Sequence, residues 1–361
     1  MVTTTRTPLQ QTVDLGTVLW NDSSLPADLA YAIENGAVGA TSNPPITLEV
    51  LRAEPAHWGE RARELYASFP TWTERAVAQQ VYEEIAVRGA DVLRPVFERT
   101  AGVHGRLSIQ TNPLLFRDRD AMLAQGIGFA GLADNLQVKF PATRAGLEAI
   151  EEATFRGVNI NATVSFSVPQ ALAVGEAVER ALRRREEAGQ PTDGLHPVCT
   201  IMVGRLDDWL KAIAERDGIG LTPGVADWAG VAAFKRAYAI YRERGYRTRL
   251  LAAAYRNHLH WSQLIGGDVV LSMTHAWQVR FNASTIEVRS RIDEPVPAAI
   301  LGELNALLPE FRRAYEPDGM SIDEFDTFGA TTRTLRQFIA ATHDLESAIR
   351  EFILPNPDVR A

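Results

Sequence analysis

The chain has 361 residues, and a formal net charge of −8 argues against general binding to nucleic acid or to an anionic membrane surface. An anionic substrate would have to be held by a few local arginines. A single cysteine, Cys199, excludes an internal disulfide framework and fits a reducing compartment.

Residues 1–17 are rich in Thr and Gln and lack the apolar centre of a signal peptide, and no apolar run elsewhere reaches about 18 residues. The expectation is a soluble, cytoplasmic protein with no membrane partner. In chain order, residues 18–22 read as a short strand, followed by a helix that starts at Pro26 with Ser24 as N-cap and stops at Asn35-Gly36. Residues 37–41 read as a second strand, ended by Ser42-Asn43-Pro44-Pro45. Residues 46–100 have apolar positions at three-to-four spacing and read as a helical insertion. Strand and helix then alternate: strands at 106–110, 136–140, 158–164, 197–203, 249–254 and 268–271, with helices at 117–125, 144–156, 169–188, 206–216, 225–244 and about 259–265.

Eight short apolar strands separated by helices read as parallel βα units, and eight such units suggest a closed (β/α)8 TIM barrel. An open doubly wound sheet is the alternative, but no Gly-x-Gly-x-x-Gly turn follows any strand. Residues 295–361 read as a C-terminal helical extension, so residues 1–361 are expected to form one barrel domain with two helical additions.

Only three lysines, Lys139, Lys211 and Lys235, stand against 34 arginines. Arg cannot lose its proton at ordinary pH or form an imine, whereas a desolvated Lys can do both. Lys139 sits near the C-terminal end of the fourth strand, where barrel enzymes build their sites. It reads either as a Schiff-base lysine or as an ion-paired lysine at a strand end. Alternation along the strands adds Asp22, Asn43, Gln110, Asn161 and Thr163 as a polar ring at strand tops, where an ordinary barrel core would carry branched aliphatics. Each has a bland reading: a turn carboxylate for Asp22, a turn former for Asn43, and a buried hydrogen-bond network for the other three. Arg205 and Arg256, just beyond strands six and seven, read as surface ion-pair partners or as a phosphate clamp. His258, His260 and His275 show no ligand spacing, and no metal or cofactor is expected.

These residues fall in ordered motifs: Leu19-Trp20-Asn21-Asp22, Gly39-Ala40-Thr41-Ser42-Asn43-Pro44, Gly105-Arg106-Leu107-Ser108, Val138-Lys139-Phe140-Pro141-Ala142-Thr143, Asn159-Ile160-Asn161-Ala162-Thr163 and Val203-Gly204-Arg205. Together they resemble the transaldolases, over about residues 15–215. The resemblance implies a class I aldolase barrel acting on phosphorylated ketose and aldose substrates of the pentose phosphate type. By that resemblance Lys139 attacks the ketose carbonyl and Asp22 takes the C4 hydroxyl proton. Asn43 and Asn161 hold the hydroxyls of a dihydroxyacetone unit, Thr163 positions a water, and Arg205 and Arg256 bind phosphate. Thr200, on the substrate side, stands where a Ser is usual, and Ala254 replaces a Ser near the phosphate.

Two departures concern the proton shuttle. Gln110 replaces the family's glutamate, and an amide orients a water but accepts no proton at neutral pH. Met202 occupies the place of the tyrosine that related fructose 6-phosphate aldolases use as acid/base. The resemblance therefore leaves three readings: transfer of dihydroxyacetone, a fructose 6-phosphate aldolase-like or specialised sugar aldolase, and a barrel that binds sugar phosphates without turnover. It leaves the oligomeric state open, a homo-oligomer included.

Overall fold

A computed structural model describes residues 6–358. Eight strands, β1 (Val18–Asn21), β2 (Ala37–Thr41), β3 (Arg106–Gln110), β4 (Leu136–Pro141), β5 (Ile160–Ser165), β6 (Val198–Ile201), β7 (Arg249–Ala252) and β8 (Val270–Met273), pair in parallel in chain order. β8 returns to β1, with Leu19 beside Leu271, so the sheet closes as a (β/α)8 barrel. Closure removes every free edge, which is why such short strands suffice.

The helices are α1 (Pro8–Asp14), α2 (Pro26–Glu34), α3 (Pro44–Ala53), α4 (Pro55–Ser68), α5 (Glu74–Arg99), α6 (Arg119–Ala130), α7 (Arg144–Phe155), α8 (Val168–Glu187), α9 (Val203–Arg216), α10 (Ala229–Arg244), α11 (Leu259–Ser262), α12 (His275–Asn282), α13 (Ala298–Leu307), α14 (Pro309–Tyr315) and α15 (Gly329–Ile353). Among them, α1, α12 and α14 were not anticipated from periodicity. Each has seven or eight residues, too few turns for a helical pattern to stand out. α1 is held by a capping box between Thr7 and Gln10 and by the Trp261 indole, which donates to Thr12 Oγ1 at 3.0 Å.

Several boundaries moved; β6 and β7 end two residues early, at Ile201 and Ala252, and Val203 already opens α9. The last strand runs two residues later than 268–271, at Val270–Met273. β5 starts at Ile160, because Asn159 is occupied below the barrel by bonds with Gly194 O and His196 N. The N-cap of α2 is Leu25 rather than Ser24, since the residue before Pro26 is driven to an extended conformation.

α3, α4 and α5 lie between β2 and β3, and α15 packs on all three. Arg75 pairs with Glu346 at 2.9 Å, and the Phe352 ring fills the space over Gly59, where a Cβ would come within 2.9 Å. Inside the barrel, Trp20 occupies a lower layer with Val198, Leu251 and Val270. Gly39 makes that possible, since a Cβ there would meet the indole at 2.6 Å. No helix among the described residues is long and apolar enough to cross a membrane.

Candidate active site

Gln110, Lys139 and Asn161 stand side by side on three adjacent strands, as register partners Gln110 with Lys139 and Lys139 with Asn161. This row exists because each residue lies at an inward position of a short parallel strand near its C-terminal end. The Lys139 side chain is deeply buried, with 4% of the residue exposed, and its one hydrogen bond among the described residues is a long one from Nζ to Ser42 O at 3.3 Å. Burial pushes the amine down to about 8; the nearby Asp22 carboxylate opposes the shift and Arg205 adds to it.

Lys235 is an internal control. Burial lowers it to about 8 as well, but its ammonium donates to Arg291 O and Glu294 O at 2.7 Å each, on the outer helix α10. Two short charge-assisted bonds hold that ammonium in place, whereas Lys139 is loosely held at the barrel mouth.

Asp22 follows β1 and is half-buried, and Thr41 Oγ1 donates to its Oδ1 at 2.5 Å. Asn161 is oriented from both sides: Thr200 Oγ1 donates to its Oδ1 at 2.8 Å and its Nδ2 donates to Ser108 Oγ at 3.2 Å. Thr200 therefore acts on Asn161 rather than standing free. Asn43 is the N-cap of α3, with Oδ1 accepting from Ile46 N at 3.0 Å. Its turn-forming reading holds, and the Nδ2 donors remain for another partner.

Gln110 is buried and its Oε1 has no hydrogen-bond partner, a state that costs about 1–3 kcal/mol unless a water or ligand donates. Gln110 also lines a small cavity of about 40 Å³ with Tyr82 of α5, whose hydroxyl meets the Gln110 backbone, and with Thr342 and Glu346 of α15. The only partner of Thr163 Oγ1 among the described residues is the Met202 thioether at 4.0 Å, a weak acceptor.

The two arginines come near one another, but each is already engaged. Arg205, at the start of α9, donates to Thr334 at 3.4 Å and to Gln337, both on α15, and lies over the Phe338 ring. Burial, with Arg256 second, lowers it to about 10, so it stays charged at neutral pH, and its Nε has no acceptor. Arg256 is exposed and paired with Asp208 at 2.8 Å. Gly204 allows this approach, because a Cβ there would stand 2.1 Å from Ala254 O.

Several mouth residues escaped the reading of the sequence. Tyr255 is buried with its hydroxyl unpaired, and burial, then the Asp22 charge, hold the phenol well above its usual value, so it stays protonated and can donate to a ligand. It sits one residue out of phase with Arg256, where alternation points away from the site. His260 is fully buried: Arg256 N donates to Nδ1 at 3.0 Å, which places the ring proton on Nε2, facing Asp207 Oδ2 at 2.8 Å. That pair anchors the loop carrying Arg256. His258 lies beside Ser262, and His275 faces Asp28, so the three histidines do not converge. Gln170 clamps the end of β5, accepting from Phe166 N and donating to Val164 O and to Thr331 of α15.

A closed barrel with a desolvated, weakly held lysine at the C-terminal end of β4, flanked by amides and facing a carboxylate, is the arrangement of an imine-forming aldolase barrel. A sequence profile of the family "Transaldolase/Fructose-6-phosphate aldolase" matches residues 19–348. Relatives include a transaldolase of Thermobifida fusca, 34% identical over 65% of this chain and 66% of its own length. Another is a transaldolase of Thiobacillus denitrificans, 30% identical over 83% of this chain and 89% of its own. Transaldolase 1 of Streptomyces avermitilis is 31% identical over 68% of this chain and 67% of its own. The chain belongs to the transaldolase/fructose-6-phosphate aldolase family.

Proposed function

We propose that this protein is a transaldolase that moves a dihydroxyacetone unit between sugar phosphates through an imine on Lys139. The observation that carries the reading is the deeply buried amine, lowered to about 8 and held by one long bond. Its neutral form attacks the ketose C2 carbonyl and water leaves, giving a protonated imine as electron sink. Asp22 takes the C4 hydroxyl proton, the C3–C4 bond breaks, and the aldose departs. The enamine left on Lys139 then adds to the aldehyde of an acceptor sugar phosphate. Asn161, held between Thr200 and Ser108, and Asn43 through Nδ2 hold the hydroxyls of the three-carbon unit. Arg205 and Arg256 take the phosphate, exchanging the Gln337 and Asp208 contacts for the stronger bonds of a dianion. Gln110 and Thr163 orient the water that moves protons during imine formation and release.

The test follows glyceraldehyde 3-phosphate release from fructose 6-phosphate with and without erythrose 4-phosphate. Acceptor-dependent product is expected. A second reading, an aldolase that releases free dihydroxyacetone, is favoured by the make-up of the mouth: Thr163 faces a thioether at 4.0 Å, and Gln110, with its Oε1 unpaired, stands where transaldolases carry a glutamate and fructose 6-phosphate aldolases a glutamine. Acceptor-independent product would establish it in place of transfer. No product from any phosphorylated ketose would leave a binding barrel.

A further inference from the structure

A cavity of about 360 Å³ opens at the opposite end of the barrel, among the residues that begin β3, β6 and β7. Arg106, the first residue of β3, lines it and is 6% exposed. Its guanidinium lies over the Phe97 ring and donates through Nη1 to Gly102 O. Among the described residues it has no carboxylate partner, Nη2 meets no protein acceptor, and the buried Nε is unpaired. Arg249 lies across the cavity, 2.7 Å from Asp268, the single carboxylate of the lining. Arg242 and Arg247 also border the space but turn outward to Asp293 and to Glu179 and Glu186.

Two more buried donors of this wall, Trp20 Nε1 and Thr248 Oγ1, lack acceptors. His104 and His196 complete it; burial, together with Arg106 and Arg249, keeps both imidazoles below their usual value. An unpaired buried cation surrounded by unsatisfied donors is costly in an empty site and is offset by a bound anion. The volume lies within the range of small-metabolite pockets.

We propose that this cavity is a second ligand site, one that takes a phosphate-bearing small molecule on Arg106 and Arg249, with His104, His196, Trp20 and Thr248 as further donors. It lies on the barrel face away from Lys139 and is independent of the chemistry there.

Calorimetric titration tests it, with inorganic phosphate and fructose 6-phosphate as probes. The background is a Lys139→Met, Arg205→Gln, Arg256→Gln variant, which removes the imine-forming amine and the cations of the mouth. This variant is expected to retain one saturable phosphate site, and adding Arg106→Met should weaken it at least tenfold. Without phosphate, Arg106→Met should melt no lower than its parent, because it deletes an unpaired buried charge; a purely structural Arg106 would lower the melting temperature and leave phosphate affinity unchanged. Should Arg106→Met fail to fold, Arg249→Gln, at a half-buried position, is expected to weaken phosphate in the same direction. Fructose 6-phosphate binding tighter than phosphate assigns the site to a phosphosugar, and equal binding assigns it to the free anion. Absence of binding by both probes in the mouth variant, or affinity unaltered by the cavity substitutions, overturns the proposal.

Discussion

Lys139 and Lys235 share a lowered value of about 8 and differ in everything that decides reactivity. At pH 7 about one Lys139 amine in ten is neutral, against on the order of one in three thousand at the ordinary value of 10.5. Imine formation should therefore rise with pH and level off above about 8, measured as the rate of borohydride trapping. Gln110→Glu would place a carboxylate at the neighbouring register position and stabilise the ammonium, so that midpoint should move up by on the order of one unit. An unmoved midpoint would separate Gln110 from the amine. Burial also has a stability consequence. The folded amine titrates below the unfolded one, so the penalty of the buried charge is complete below about 8 and is relieved as pH rises toward 10.5. Lys139→Met should thus stabilise the protein at pH 7 by about 1–3 kcal/mol while abolishing activity, with the advantage fading in alkaline melts.

At the scale of elements, the mouth is built on strained connections. Val164 (φ 52°), between Thr163 and Ser165 at the end of β5, and Ala254 (φ 64°), before Arg256, both hold left-handed backbones. Such residues persist only where surrounding bonds over-determine them. Gln170 supplies those bonds at β5, tying Phe166 N, Val164 O and α15 to one carboxamide. Gln170→Leu leaves buried groups unpaired and should cost about 2–4 kcal/mol in denaturant melts, with a fall in kcat from misplacement of Thr163. Ala254→Gly is expected to do the reverse, adding up to about 1 kcal/mol by relieving the backbone. A destabilised glycine variant would mean that the Ala254 methyl packs more than its backbone strains.

At the scale of the whole molecule, the barrel was legible because eight short apolar strands are separated by helical segments, and Lys139 because it is one of only three lysines and falls on the inward phase of the period-two side-chain alternation at a strand top. The row of Gln110, Lys139 and Asn161 followed from the same periodicity. What stayed hidden depends on contacts between distant segments. Tyr255 lies out of phase with its strand, Gln170 acts from inside a helix, and α15 brings Thr334 and Gln337 to Arg205 from 129 and 132 residues away. No local pattern announces such meetings. The C-terminal helix therefore belongs to the architecture of the mouth and not only to the scaffold.

The central claim is that Lys139 carries the ketose. Borohydride reduction in the presence of fructose 6-phosphate, followed by peptide mass spectrometry, tests it most directly, since three lysines make the assignment unambiguous. The account predicts a reduced adduct on Lys139 and none on Lys235, although burial lowers both amines alike. An adduct on Lys235 or Lys211, or full turnover by Lys139→Met without any adduct, would contradict it.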